Sequence, residues 1–157
     1  MPDFSHLKKY AVTEETTAEF TFDRIEGDPS VILAPAHECN TAYHRERLAQ
    51  TLKLAEAMPT KGNLKQTPAD IIKITDEGRE TDRKLLAFYC ARGWGTAPVD
   101  SKGKEVEFTP ENCYEFFAAI PPEMFDPVRN FAANLFNFFP ERNAPLGEKD
   151  GEALGNS

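Results

Sequence analysis

The sequence predicts an α+β fold: a short N-terminal β-hairpin, then a mainly helical domain of four to five helices with a small hairpin after Trp94. Three observations carry this. The stretch AEFTFDRIEGDPSVILAPA places β-prone residues on both sides of Gly27-Asp28-Pro29, which is turn chemistry. Three segments carry a helix-start signal, a cap residue followed by proline at the first helical position: Thr67-Pro68, Thr109-Pro110 and Asp126-Pro127. Apolar residues of the last third recur at helical spacing, with Cys113, Phe116, Phe117 and Ile120 at i, i+3, i+4 and i+7.

Residues 1–17 are mostly polar and read as a flexible N-terminal arm. A single globular domain is expected over 18–139. Its first strand alternates Phe20 and Phe22 with polar neighbours, and its second holds Val31, Ile32 and Leu33. Asn40 or Thr41 caps a helix through TAYHRERLAQTLKLAEAM, with Tyr43, Leu48, Leu52 and Ala55 near one face. PTKGNLKQTP reads as a loop, and TPADIIKIT as a short helix capped by Thr67. ETDRKLLAFYCARGW is a separate helix with Leu85, Leu86, Tyr89 and Cys90 as its stripe, and Gly93 is placed to end it in a left-handed conformation. A turn about Gly103 and a brief strand holding Val106 and Phe108 follow. The helix from Pro110 stops at Pro121-Pro122. A last helix starts at Asp126-Pro127, with Val128, Phe131, Ala132, Leu135 and Phe136 as its stripe. Residues 140–157, Gly-rich and polar, read as a flexible C-terminal tail.

Composition narrows the function. The 157 residues carry 26 acidic and 18 basic side chains, a net charge of −8, which disfavours phosphate contact and so nucleic-acid binding. No apolar run approaches the length of about 18 residues that a membrane span needs. The N-terminus MPDFSHLKKYAVTEE lacks the apolar core of a signal peptide. These features point to the cytoplasm.

Motifs for chemistry come up empty. The sequence holds no P-loop, GxGxxG, GxSxG or HExxH, and neither a catalytic residue nor a cofactor site is assigned. HECNTAYH offers His37, Cys39 and His44, but no fourth ligand at recognisable spacing, so no metal is expected. Cys39, Cys90 and Cys113 are widely spaced and odd in number, and the latter two read as small hydrophobes on helix faces. Asp76, Glu77, Glu80 and Asp82 gather ahead of a predicted helix, where the dipole alone accounts for them. The aromatics are harder to place. Phe116, Phe117, Phe131, Phe136, Phe138 and Phe139 crowd two helices, more rings than one small core absorbs. Those off the core faces, Phe138 and Phe139 above all, are expected to be exposed and to contact a partner.

The order of signals, from Asn40 and Tyr43 through Gly93-Trp94, Asp100 and Gly103 to Thr109-Pro110-Glu111-Asn112 and the closing Asn137-Phe138, resembles the small tail assembly chaperones of long-tailed double-stranded DNA phages. The resemblance covers roughly residues 19–139. It implies a non-enzymatic helper that binds the long helical tape measure protein during tail morphogenesis, in the cytoplasm of the infected bacterial host. The major tail protein is a second candidate partner, and self-association is open. On this reading Asn40, Tyr43, Gly93, Trp94, Asp100, Gly103, Thr109 and Pro110 are structural signature residues. The indole of Trp94 is expected to pack under the following hairpin, its N–H on a backbone acceptor. Two other readings stay in view: a virion structural protein (a minor tail or head–tail connector component), and an acidic inhibitor of a host nucleic-acid-binding complex.

Overall fold

In the computed structural model, which describes residues 1–57 and 67–140, the expected α+β architecture is built on a three-stranded antiparallel sheet. Strands β1 (Ala18–Thr21) and β2 (Ser30–Leu33) form the N-terminal hairpin. Its turn is made by Gly27 at φ 89° and Asp28 at φ 49°, left-handed conformations that glycine and aspartate tolerate best. The Phe22 N–H closes it on the Pro29 carbonyl at 2.8 Å.

The third strand, β3 (Ala91–Thr96), pairs with the other side of β2. This corrects the expectation for the GWG motif. The preceding helix already ends at Cys90, Ala91 is extended, and Gly93 has no left-handed φ. Gly93 and Trp94 therefore lie in a strand. The requirement for glycine falls on Gly95 instead, because a Cβ there would collide with the Glu19 carboxylate and the Ser30 hydroxyl. Ser30, wholly buried, donates its hydroxyl to Glu19 and accepts the Thr96 N–H at 2.8 Å. It thus links all three strands beside a register shift of the β2–β3 ladder.

Helix α1 (Thr41–Ala57) starts from Asn40, whose Oδ1 accepts the Tyr43 N–H at 3.3 Å. The Asn40 amide donates to the carbonyls of Pro35 (3.1 Å) and Tyr89 (2.9 Å), so one buried side chain caps α1 and ties it to both neighbouring segments. Helix α2 (Pro68–Leu85) opens with a capping box between Thr67 and Asp70. It runs unbroken through Gly78 and continues into a π-helical turn, Leu86–Cys90. The two helices expected here are one, and the carboxylates Asp76, Glu77, Glu80 and Asp82 are mid-helix rather than ahead of it. Most of the expected loop PTKGNLKQTP lies outside the described residues.

Helix α3 (Pro110–Ala119) has the expected cap, with the Asn112 N–H donating to Thr109 Oγ1 at 2.9 Å. Helix α4 (Pro122–Ala133) begins earlier than expected, at Pro121-Pro122. Asp126 is not its cap, and Pro127 sits inside it. The Leu135–Phe138 segment is a separate 3-10 turn. After Trp94 the expected hairpin reduces to one bridge, Val99 with Glu105, around a turn in which Gly103 has φ 79°. Asp100 Oδ1 accepts the N–H groups of Lys102 and Lys104, while Val106 and Phe108 form no strand.

The core is aromatic. Phe20 and Phe22 of the hairpin meet Phe131 of α4 and Phe116 of α3 edge-on at 5.4 and 5.1 Å. Phe117 and Phe125 lie beneath them, both 0% exposed. N-terminal to the sheet, Ser5–Tyr10 forms 3-10 turns with no buried residue. Apart from Pro140, the expected tail 140–157 lies outside the described residues.

Candidate functional site

The six rings assigned to a partner surface separate into three groups. Phe117 and Phe138 are wholly buried. The expected exposure of Phe138 is therefore corrected: in the 3-10 turn its ring is wholly buried, 6.0 Å from the Phe131 ring. Phe116 and Phe131 are half-buried in the aromatic core. Phe136 is 67% exposed, with the half-buried Phe139 edge-on beside it at 5.0 Å. The two Pro-started helices thus absorb most of their rings by meeting the sheet.

Trp94 is half-buried, with its ring edge-to-face on Phe108 at 5.3 Å and on Phe116 at 5.5 Å. Its Nε1 is buried and has no hydrogen-bond partner among the described residues, so the expected backbone acceptor is not supplied. Trp94 therefore makes ring contacts without the expected hydrogen bond.

A second set of exposed apolar side chains lies on the α1–α2 pair. Every residue of 51–56 and of 67–77 is exposed. Leu48, Leu52 and Leu54 on α1, and Ile71, Ile72 and Ile74 on α2, are all between 49% and 64% exposed. The physical reason is length. The C-terminal half of α2 is held by the core through Leu85 and Leu86, and α1 is held by Tyr43 near its start. Among the described residues, the distal halves of the two helices bury no side chain. Of the residues expected near one face of α1, Tyr43 is buried while Leu48 and Leu52 are exposed. Between the two helices runs a cleft of about 450 Å³ lined by Gln50, Lys53, Leu54, Asp76, Glu77, Glu80 and Thr81. A second, of about 420 Å³, shares Gln50 and Thr81 with it and reaches Phe88 and Tyr114.

Charged side chains hold this arm at its base. Asp82, 9% exposed, receives Arg47 of α1 and Arg129 of α4 on its two oxygens, the latter at 2.7 Å. Asp126 of α4 accepts Arg79 of α2 in a two-point contact at 3.0 and 3.1 Å, and Arg129 at 3.0 Å. Hydrogen bonds from Arg79, and then from Arg129, hold the Asp126 carboxyl below the usual carboxylate range. Of the four mid-helix acids, Asp82 and Glu80 make interhelical contacts, Glu80 by accepting the Tyr114 hydroxyl of α3, while Asp76 and Glu77 pair with Arg79 and Lys73 of α2 itself. Sequence reading missed this network and the exposed isoleucines. One signal was available: Ile71, Ile72 and Ile74 cover an arc of about 160° around α2, wider than one narrow core-facing stripe.

The thiols behave as expected of small hydrophobes. Burial pushes Cys90 and Cys113 up to about 12, and Cys39 is half-buried and also raised by desolvation. Among the described residues, no group of three or more His, Cys, Asp or Glu side chains is arranged to hold a metal ion. Among them, too, no helix is long and apolar enough to cross a membrane.

Fold and surface together define a small α+β protein with exposed aliphatic side chains on a helix pair. The chain belongs to the YdaY prophage protein family, whose family model matches residues 39–149. It is therefore phage-derived, and the match runs from just before α1 past the end of α4. No curated protein and no solved structure shows a significant match.

Proposed function

We propose that this prophage protein is a non-enzymatic assembly factor that binds the tape measure protein during tail morphogenesis in the host cytoplasm. The client's apolar helical stripe lies against the α1–α2 arm. The observation that carries the reading is the exposure of six large aliphatic side chains, 49% or more each, on two neighbouring helices. Exposed apolar area of this kind on a folded chain marks an interaction surface, and helix-in-groove contact is the mode a helix pair supports. The excess of acid, −8 over the whole chain, keeps a complex with an apolar client in solution. The prophage family and the resemblance to tail assembly chaperones support the choice of client.

The test is co-expression with the prophage's own tape measure protein, followed by solubility and pull-down. Changing Leu52 and Ile71 to Ser is expected to weaken client binding by about 2 kcal/mol or more, the scale of interface hot spots, while the variant still folds. Changing Phe136 and Phe139 to Ser is the parallel variant for the aromatic surface. If both double variants keep the client soluble as well as the parent does, the reading is wrong. Mass spectrometry of purified particles is the second measurement: an assembly factor is absent, and finding the chain in stoichiometric amount would make it a virion structural protein instead.

A further inference from the structure

We propose that the cleft at the base of the α1–α2 pair binds an organic cation, an alkylammonium or guanidinium head, with Glu46 as its counter-ion and Phe88, Tyr89 and Tyr114 as its ring wall. None of the six exposed aliphatic side chains of the client reading lines this cleft, so the two proposals fail independently.

Three observations carry this. The first is the cleft itself, about 420 Å³ between α1, α2, the π-helical turn and α3, a volume in the usual range for small-ligand sites. Beside its rings it offers polar groups not spent elsewhere: the Thr81 and Tyr89 hydroxyls make no hydrogen bond to any described residue. The second is Glu46. Among the helical carboxylates that are buried or half-buried, Glu80, Asp82 and Asp126 each pair with at least one guanidinium. Glu46 is half-buried and forms no ion pair with any described residue; its one hydrogen bond comes from the Gln50 amide of its own helix at 3.5 Å. A carboxylate partly withdrawn from water favours a cation beside it. Lys84 lines the same cleft but pairs with Glu80, one turn back on its own helix, at 3.9 Å. Glu46 also stands about 16 Å of helix from Ala57, so the connection that follows α1 starts far from it.

The third is the π-helical turn, Leu86–Cys90. An α-helix gives up its regular hydrogen bonding there, and such turns recur at functional sites. Leu86, Ala87 and Cys90 of the turn are buried, while Phe88, 43% exposed, and the half-buried Tyr89 stand in the cleft wall. Tyr114 completes the wall from α3, its hydroxyl donating to Glu80. Aromatic rings attract cations, and three rings beside one carboxylate suit a head that is apolar around its charge. An anion would meet Glu46 and the −8 of the chain, and an uncharged ligand would leave Glu46 without a counter-ion.

The experiment is a titration of the full chain, without client, with n-butylammonium chloride, read by amide and aromatic NMR shifts at matched ionic strength. n-Butanol and sodium chloride are the controls. A saturable shift centred on Glu46, Thr81, Phe88 and Tyr114 is expected for the ammonium alone. Glu46→Gln is expected to weaken it roughly tenfold and Phe88→Leu severalfold, each with a melting temperature near the parent's. Two peptide arms name the source of the head: a helical peptide with one central Lys, and the same peptide with norleucine there. A Lys peptide that binds much more tightly than butylammonium, with the norleucine peptide weaker, assigns the head to a partner's side chain; one that binds no more tightly assigns it to a free amine. An absent or unsaturable shift, an equal shift with butanol, or a shift unchanged in Glu46→Gln overturns the proposal. A carboxylate already neutralised from within the chain takes no added ammonium, and that result overturns it as well.

Discussion

Gly93 and Gly95 flank the same tryptophan and carry different constraints. A methyl group on Gly93 enters open space, while one on Gly95 strikes Glu19 and Ser30. Gly95→Ala is therefore expected to destabilise the fold by about 1–3 kcal/mol, the range for overpacking a filled site. Gly93→Ala should stay within about 0.5 kcal/mol of the parent. Urea unfolding of both variants checks this, and equal midpoints would show that the Glu19–Ser30 contact yields at no cost. The thiols allow a second residue-level prediction. With Cys90 and Cys113 wholly buried and their titration pushed up to about 12, the native chain should expose one reactive thiol at neutral pH, that of Cys39. Counting thiols with an aromatic disulfide reagent is expected to give one per native chain and three in denaturant. Fast reaction of a second thiol in the native chain would contradict the core described above.

At the level of elements, the sequence was most legible where a signal is local. The Thr109-Pro110 start and the Gly27-Asp28-Pro29 turn were readable because each is decided by a few adjacent residues. The Asp126-Pro127 start was misread for the same reason. The dipeptide has cap chemistry, but Pro121-Pro122 starts the helix first, and Asp126 is taken by Arg79 from 47 residues away. Strand β3 was missed because ARGWGT carries little β propensity; pairing with β2 makes it a strand. The exposed arm was missed because periodicity shows that a helix has an apolar face and not whether anything covers it. The α2–α4 contact gives a pH prediction. The folded Asp126 carboxyl titrates below its unfolded value, so its contribution is present above about pH 3.9 and is lost as pH falls through the lower folded value. Asp126→Asn should therefore show a smaller fall in melting temperature between neutral pH and pH 2 than the parent. A variant with an identical acid limb would show that Arg79 contributes nothing to stability through this contact.

For the molecule as a whole, the family segment and the folding unit differ. The family match begins at residue 39, whereas the sheet needs β1 and β2 to its N-terminal side. A chain running from residue 39 to 157 would leave β3 without a partner and uncover Phe116 and Phe131, which rest on Phe22 and Phe20. It is expected to be unfolded, or to aggregate when expressed. A cooperative thermal transition in such a fragment would show that the helices form a core without the sheet.

The pairing of β3 with β2 also bears on how the polypeptide comes off the ribosome. The N-terminal hairpin segment emerges first, before the strand that completes the sheet has been made. At typical synthesis rates of roughly 5–20 residues per second, the stretch of about 60 residues between Leu33 and Ala91 keeps that edge open for about 3–12 s. Through that interval the nascent chain displays an unpaired, apolar strand beside its sister chains on the same message. Substitutions that slow the arrival of Trp94, or rare codons between α1 and β3, would lengthen the exposure without altering the finished protein, and would appear as lost yield rather than lost stability.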